Sequence, residues 1–176
     1  MAGAVVSTPT APPDPDLGVL RRARLGRRVF VVALVSFLAL GVLNLYGVRT
    51  REVSATAGGD QLTVRYASVT RPGLASPWSV ELRRPGGFRS GTVTLSADAA
   101  YFDIFDENGV EPEPVESRND GDRIVWTFLA PVGDTLTFSL DARIEPAVQL
   151  KRARGNVSVP GTEQPLSVGF STFVMP

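Results

Sequence analysis

Between Arg28 and Arg49, twenty consecutive positions carry no charged side chain. At about 1.5 Å of rise per residue, a helix of that length covers a hydrocarbon core of about 30 Å. Val, Leu, Phe and Ala supply most of the run. Its polar residues are Ser36, Asn44 and Tyr46, and the last two fall where a water interface is expected. A stretch apolar on every face is not the amphipathic pattern of a helix on a soluble domain. The run therefore predicts a transmembrane helix over residues 29–48, with the lipid bilayer as its partner.

The flanks set an expected orientation, because cytoplasmic ends of spans retain Arg and Lys. Arg21, Arg22, Arg24, Arg27 and Arg28 precede the run, whereas Arg49 and Arg51 follow it. The N-terminus is thus expected in the cytoplasm and the rest of the chain outside the cell membrane. A cleaved signal peptide has a shorter apolar core of about 7–15 residues with a small-residue site just after it. Ala55-Thr56-Ala57 would be such a site, but the length of the core favours an uncut single-pass signal-anchor. The residues around it, 49–59, read as a linker. Ahead of the span, Pro9, Pro12, Pro13 and Pro15 oppose both helix and strand. Residues 1–28 are expected to be a disordered cytoplasmic tail with a basic flank.

After the linker the apolar period changes to two. QLTVRYASV places Leu62, Val64 and Tyr66 on one face; WSVELRR does so with Trp78, Val80 and Leu82, and GTVTLSA with Val93, Leu95 and Ala97. YFDIF leads to Asn108-Gly109, a strong hairpin signal. A turn at Asn119-Asp120-Gly121-Asp122 precedes RIVWTFL, whose two apolar faces suggest a central strand. Gly133-Asp134 turns into TLTFSLDAR, and NVSV and LSVGFSTFV complete the set. Seven to nine short strands with frequent turns, and no helix-period segment beyond the anchor, predict an all-β fold. The expected domain is an antiparallel immunoglobulin-like β-sandwich over residues 60–176, preceded by one transmembrane α-helix. Trp78 and Trp126 are the expected core anchors.

The succession PWSVELRRPGG, an acidic turn-rich connection and GDRIVWTFLAPVGDTLTFSLDARIEP resembles the bacterial immunoglobulin-like, conserved-repeat type of β-sandwich domain. In that type a Trp-bearing strand, a Pro/Gly turn and an alternating strand follow one another, here Trp126, Pro131, Gly133 and Thr135 to Leu140. The resemblance implies a fold and an envelope location. It carries over no catalytic residue.

The chemistry open to the chain is narrow. Histidine and cysteine are both absent, which removes Ser-His-Asp and Cys-His nucleophiles and the commonest metal ligands. No disulfide is possible, so a domain in an oxidising space must hold by packing alone. Lys151 lies beside Arg152 and Arg154, a poor setting for the neutral lysine of a Ser-Lys pair. From Gly58 to Pro176 the chain carries eleven basic and fifteen acidic residues, so no basic footprint for nucleic acid exists. The dense acidic stretch 103–122 holds Asp103, Asp106, Glu107, Glu111, Glu113, Glu116, Asp120 and Asp122, set against Arg118. Oxygen ligands of this kind suit Ca²⁺, but their spacing does not match an EF-hand, and Pro112 and Pro114 suggest a stiff solvated loop. Paired carboxylates would also suit glycoside hydrolysis, yet nothing selects a pair. Asn156-Val157-Ser158 is a glycosylation sequon by pattern only. One lysine among eighteen basic residues, with abundant Arg, Ala, Gly and Pro, points to a GC-rich bacterial genome.

These features lead to an expectation of a membrane-anchored extracytoplasmic module, a non-enzymatic interaction or accessory subunit of a bacterial envelope complex. Its partner would be a membrane or envelope protein, with no catalytic residues, cofactor or metal. The alternative is a carbohydrate-active or calcium-dependent envelope module using the acidic loop 103–122.

Overall fold

The computed structural model describes residues 17–42, 47–88, 91–162 and 164–176. The Pro-rich residues 1–16 expected to be disordered, and the interfacial Asn44 and Tyr46, lie outside the described residues. Two compact units divide the chain, residues 1–46 and 47–176.

The first unit contributes α1, Leu17–Val42. The helix begins well inside the segment expected to be a disordered tail through residue 28. Pro15 is the last proline ahead of it, and the Leu, Arg and Ala that follow are good helix formers. Arg21–Val42, 22 residues and about 33 Å of helix, is long and apolar enough to cross a membrane. Expected to run to residue 48, the helical span is described to Val42; Gly47 and Val48 are not helical.

The second unit is mostly β, with ten strands in one curled, mixed sheet. They are β1 Arg49–Ala57, β2 Asp60–Thr70, β3 Trp78–Arg83, β4 Thr92–Asp98, β5 Phe105–Glu111, β6 Glu116–Asn119, β7 Arg123–Leu129, β8 Thr135–Ile144, β9 Lys151–Val159 and β10 Leu166–Val174. The sheet runs β5-β8-β3-β2-β10-β9-β4-β7-β6, with β1 on β2. Nearly every pairing is antiparallel. The departure from the expected all-antiparallel arrangement is β2 against β10, parallel through Phe173↔Val69 and Val174↔Thr70. β2 makes this step because it is long: Gln61–Arg65 pair with β3, and the end of the strand continues past β3 to the last strand of the chain.

The curl is visible in connectivity and in packing. β5 and β6 stand at opposite ends of the strand order, yet only residues 112–115 join them. Five Cα steps span at most about 18 Å, so the two ends of the sheet approach each other. Rings from distant strands meet inside: Trp78 of β3 and Trp126 of β7 at 6.1 Å, Trp126 and Phe138 of β8 at 5.0 Å, Phe128 and Phe138 at 4.8 Å. The period-two faces foreseen in QLTVRYASV, WSVELRR, GTVTLSA and TLTFSLDAR all supply this core. Alternation puts every second side chain inside, and each buried aromatic removes on the order of 150–250 Å² from water.

Four local features differ from the sequence expectations. The linker 49–59 is strand β1 as far as Ala57, because Val53, Ala55 and Ala57 alternate inward against the core while β2 supplies the ladder. Asn108-Gly109 makes no hairpin; the register of β5 on β8 shifts between Glu107 and Gly109, so the dipeptide forms a bulge within the strand. A one-turn helix α2, Ala99–Phe102, takes in the first two residues of YFDIF and buries Ala99, Tyr101 and Phe102, while Phe105 begins β5. Finally, β7 is next to the edge strand β6, not central: Trp126 and Phe128 face the core while Leu129 is 68% exposed.

A short chain of hydroxyl bonds fixes α2. Thr172 donates to the Ala67 carbonyl, so its single proton is spent and the Tyr101 hydroxyl donates to Thr172 Oγ1 at 2.8 Å. Burial pushes the Tyr101 phenol well above its ordinary value. Gly155 lies under this ring; a Cβ there would fall 2.8 Å from Tyr101 Cγ, so only glycine fits without displacement.

Candidate functional site

Strand direction sorts the connections of the β unit to two ends. The chain enters at Gly47–Arg49 at one end, which also gathers the β2–β3 connection, α2, the β6–β7 turn, the β8–β9 loop and Met175–Pro176. The other end collects the β1–β2 turn, the β3–β4 connection, the β7–β8 turn and the β9–β10 turn. β1, nine residues long, separates the two ends by about 30 Å.

A cleft of about 630 Å³ opens at this second end, between the β1–β2, β3–β4 and β9–β10 turns. Its charged residues, among those described, are Asp60, the first residue of β2, and Arg84, the residue after β3. Arg84 Nε donates to both carboxylate oxygens of Asp60, at 3.1 and 2.9 Å, and Nη2 donates to Oδ2 at 2.6 Å. The Asp60 side chain is 15% exposed and that of Arg84 31%. The hydrogen bonds that Arg84 donates to Asp60 outweigh burial and raise the Arg84 pKa above its ordinary value. The guanidinium also sits 5.1 Å from the centre of the Phe88 ring.

The turns are fastened around this pair. Arg84 N–H donates to the Asp134 carbonyl, Phe88 N–H to the Gly133 carbonyl and Gly58 N–H to Gln164 Oε1. Thr162 Oγ1 donates to the Gln164 carbonyl at 2.7 Å. Gly87 has φ +83°, and a Cβ there would meet the Gly133 oxygen at 3.2 Å, so its place in the β3–β4 connection requires glycine on both counts. Next to the cleft, Leu129 and Val132 expose apolar side chains.

The carboxylate and the guanidinium saturate each other, and the neighbouring groups are a ring face, hydroxyls and main-chain amides. Among the described residues, neither an activated nucleophile nor a proton-transfer pair is assembled there.

The acidic residues of the stretch 103–122 are dispersed by the fold, which makes most of the expected loop into strand. Asp106 on β5 accepts from Arg143 Nε and Nη2 at 2.8 and 2.6 Å. Asp120 meets Arg118 at 2.9 Å in the β6–β7 hairpin. Glu107 and Glu111 lie on β5, which pairs with β8, whereas Glu116 lies on β6, which pairs with β7. Asp103, Glu113 and Asp122 are exposed in connections. Among the described residues, no three acidic side chains converge as a cation site. Lys151 is exposed at the first position of β9, Asn156 lies on the same strand, and Trp78 and Trp126 are both core residues.

Sequence inspection did not single out Asp60 or Arg84. The available signal was three glycine turns, GGD, PGG and PGT, each of them containing or abutting a charged residue. No protein-family model matches the chain, and no curated protein matches it in sequence.

Proposed function

We propose that the chain is a single-pass membrane protein whose β unit is a non-enzymatic interaction or accessory subunit of a bacterial envelope complex. Residues 29–48 lie in the bilayer, the N-terminus is cytoplasmic and residues 60–176 are extracytoplasmic. The β unit is read as an immunoglobulin-like sandwich, with β1-β2-β3-β8-β5 as one layer and β10-β9-β4-β7-β6 as the other. Aromatic contacts between strands of the two layers support that division, and the short parallel step from β2 to β10 makes one corner. The observation that carries the functional reading is the pairing of Asp60 with Arg84 in a cleft at the far end from where the chain enters. Among the described residues the charges of the cleft are matched to each other, an arrangement that suits recognition of a partner.

Affinity purification from detergent-solubilised membranes tests this directly. An envelope protein should co-purify, and Phe88→Asp or Leu129→Asp should abolish its recovery. If no protein is retained and Ca²⁺ or a glycan raises the melting temperature instead, the calcium- or carbohydrate-dependent alternative takes its place. For topology, a reporter fused after Pro176 should be active only outside the cytoplasm. A mature N-terminus at Gly58 would overturn the anchor.

A further inference from the structure

We propose that the β unit carries a contact surface for anionic phospholipid headgroups at the end where the chain enters, on β1, β2, β10 and β9. The inference rests on the membrane-anchor reading above. Arg49, Val69, Phe173 and Arg152 form one continuous row across these four strands, through the pairs Arg49↔Val69, Phe173↔Val69 and Phe173↔Arg152. At about 4.8 Å between neighbouring strands the row is about 14 Å wide. Its two ends are exposed arginines and its centre is partly exposed apolar surface. The Arg152 guanidinium lies 5.9 Å from the centre of the Phe173 ring. Arg154, two residues further along β9, is on the same face, Lys151 begins the strand, and Leu150 beside it is 64% exposed.

Two observations identify the occupant. The first is charge: among the described residues, no carboxylate is within ion-pair distance of Arg49, Lys151, Arg152 or Arg154, whereas Arg65, Arg83, Arg84, Arg118, Arg123 and Arg143 each have an Asp or Glu partner. Of the exposed acids at this end, Glu52 on β1 is paired with Arg65 at 3.8 Å, and Asp103, Asp120, Asp122 and Glu145 belong to the α2–β5 connection, the β6–β7 turn and the β8–β9 loop. The end is therefore asymmetric, basic along β1 and β9 and acidic elsewhere. The second is reach: seven Cα steps separate Val42 from Arg49, at most about 25 Å of chain. Cations with an aromatic ring and a leucine among them, on so short a tether from an apolar helix, match an anionic headgroup layer, which attracts basic segments within about one Debye length.

The absence of cysteine makes the test clean, since one introduced cysteine is a unique labelling site. Full-length Leu150→Cys, carrying an environment-sensitive fluorophore, is placed in nanodiscs of phosphatidylcholine alone or mixed with phosphatidylglycerol. The emission should shift to the blue and be quenched by headgroup-spin-labelled lipid only when phosphatidylglycerol is present. Raising salt toward 1 M, where the Debye length falls to about 3 Å, should reverse both effects, as should Lys151→Glu with Arg152→Glu. If that double variant fails to fold, the salt series decides alone. A label at Val132→Cys, on the opposite end, should respond to neither lipid. Equal signals from Leu150→Cys with and without phosphatidylglycerol, or an equal response at Val132→Cys, would overturn the inference. Val35→Cys separates the two levels: it should be quenched by acyl-chain nitroxides in both lipids. If it is not, the anchor and this surface fall together; if it is and Leu150→Cys is silent, the surface alone falls.

Discussion

Gly155→Ala adds a single methyl group to the core, and the structure fixes its cost. The new Cβ would lie 2.8 Å from Tyr101 Cγ, 2.9 Å from Tyr101 Cβ and 3.0 Å from Phe170 Cε2. These are the rigid root of a side chain and a ring edge, with the Tyr101 hydroxyl tied to Thr172 and the residue 0% exposed. Neither neighbour can swing away, so β9 must separate from β10 or α2 must shift. Overpacking of this kind costs about 1–3 kcal/mol. Removing a glycine also restricts the unfolded chain, which returns about 0.4–1 kcal/mol. The net loss is about 1.3 kcal/mol, a sizeable share of the ~5–15 kcal/mol that holds a domain together. At about 4 °C per kcal/mol for a unit of this size, the melting temperature should fall by about 5 °C. Gly169 is the internal control: it is on the neighbouring strand, opposite Asn156, and a Cβ there meets nothing within 4 Å. Gly169→Ala should be neutral or slightly stabilising. Urea melts of residues 47–176 measure both, and a Gly155→Ala variant as stable as the parent would show that Tyr101 does not pack on β9.

Trp126→Ala should cost about 3–5 kcal/mol in the same melts, since the ring contacts Trp78, Phe102 and Phe138 and its removal leaves a cavity. Glu113→Ala, in the exposed connection between β5 and β6, should change stability by less than about 0.5 kcal/mol; the reverse ranking would contradict the core. Asp60→Ala should cost about 2 kcal/mol, because it strands the partly buried Arg84 without its charged acceptor; a neutral result would mean that water replaces the carboxylate. Tyr101 has a raised folded-state pKa, so its contribution is complete below the ordinary tyrosine value of about 10 and is lost as pH rises beyond it. In an alkaline absorbance titration its phenolate should appear only with loss of the folded signal, and Tyr101→Phe should move the unfolding midpoint to higher pH.

How far the chain is legible from its sequence depends on whether the controlling contacts are local. Strands β2, β3, β4 and β8 announce themselves because their alternation is strict and their inward residues are large. β1 escapes because its inward residues beyond Val53 are only Ala55 and Ala57, small enough to pass for a tether; its strand character comes from β2, which supplies a partner to all nine of its residues. β6, ESRN, has no apolar residue at all and exists as an edge on β7. Asn108-Gly109 misleads for a related reason: the dipeptide accepts the conformations of a turn, but the long strand β8 imposes a bulge on it.

The cleft lies at the far extreme of this scale. Asp60 and Arg84 are 24 residues apart, and they meet because β2 and β3 pair antiparallel, which brings Gln61 opposite Arg83 and leaves the next residue of each chain segment at the same end. Gly133 and Asp134 reach the same place from β8, and Gln164 from the β9–β10 turn, 106 residues after the Gly58 amide it accepts from. No window of sequence contains more than a fragment of such a site, so composition narrows its chemistry while only strand register assembles it. The same register explains why the two ends of the unit differ in character. At one end tight glycine turns bring an ion pair together; at the other, Arg49 and Arg152 are held apart on one row by Val69 and Phe173. Among the described residues, the cleft therefore presents a matched ion pair, whereas the row from β1 to β9 presents arginines with no carboxylate within ion-pair distance. That difference is why a protein partner is sought at the first and a lipid headgroup layer at the second.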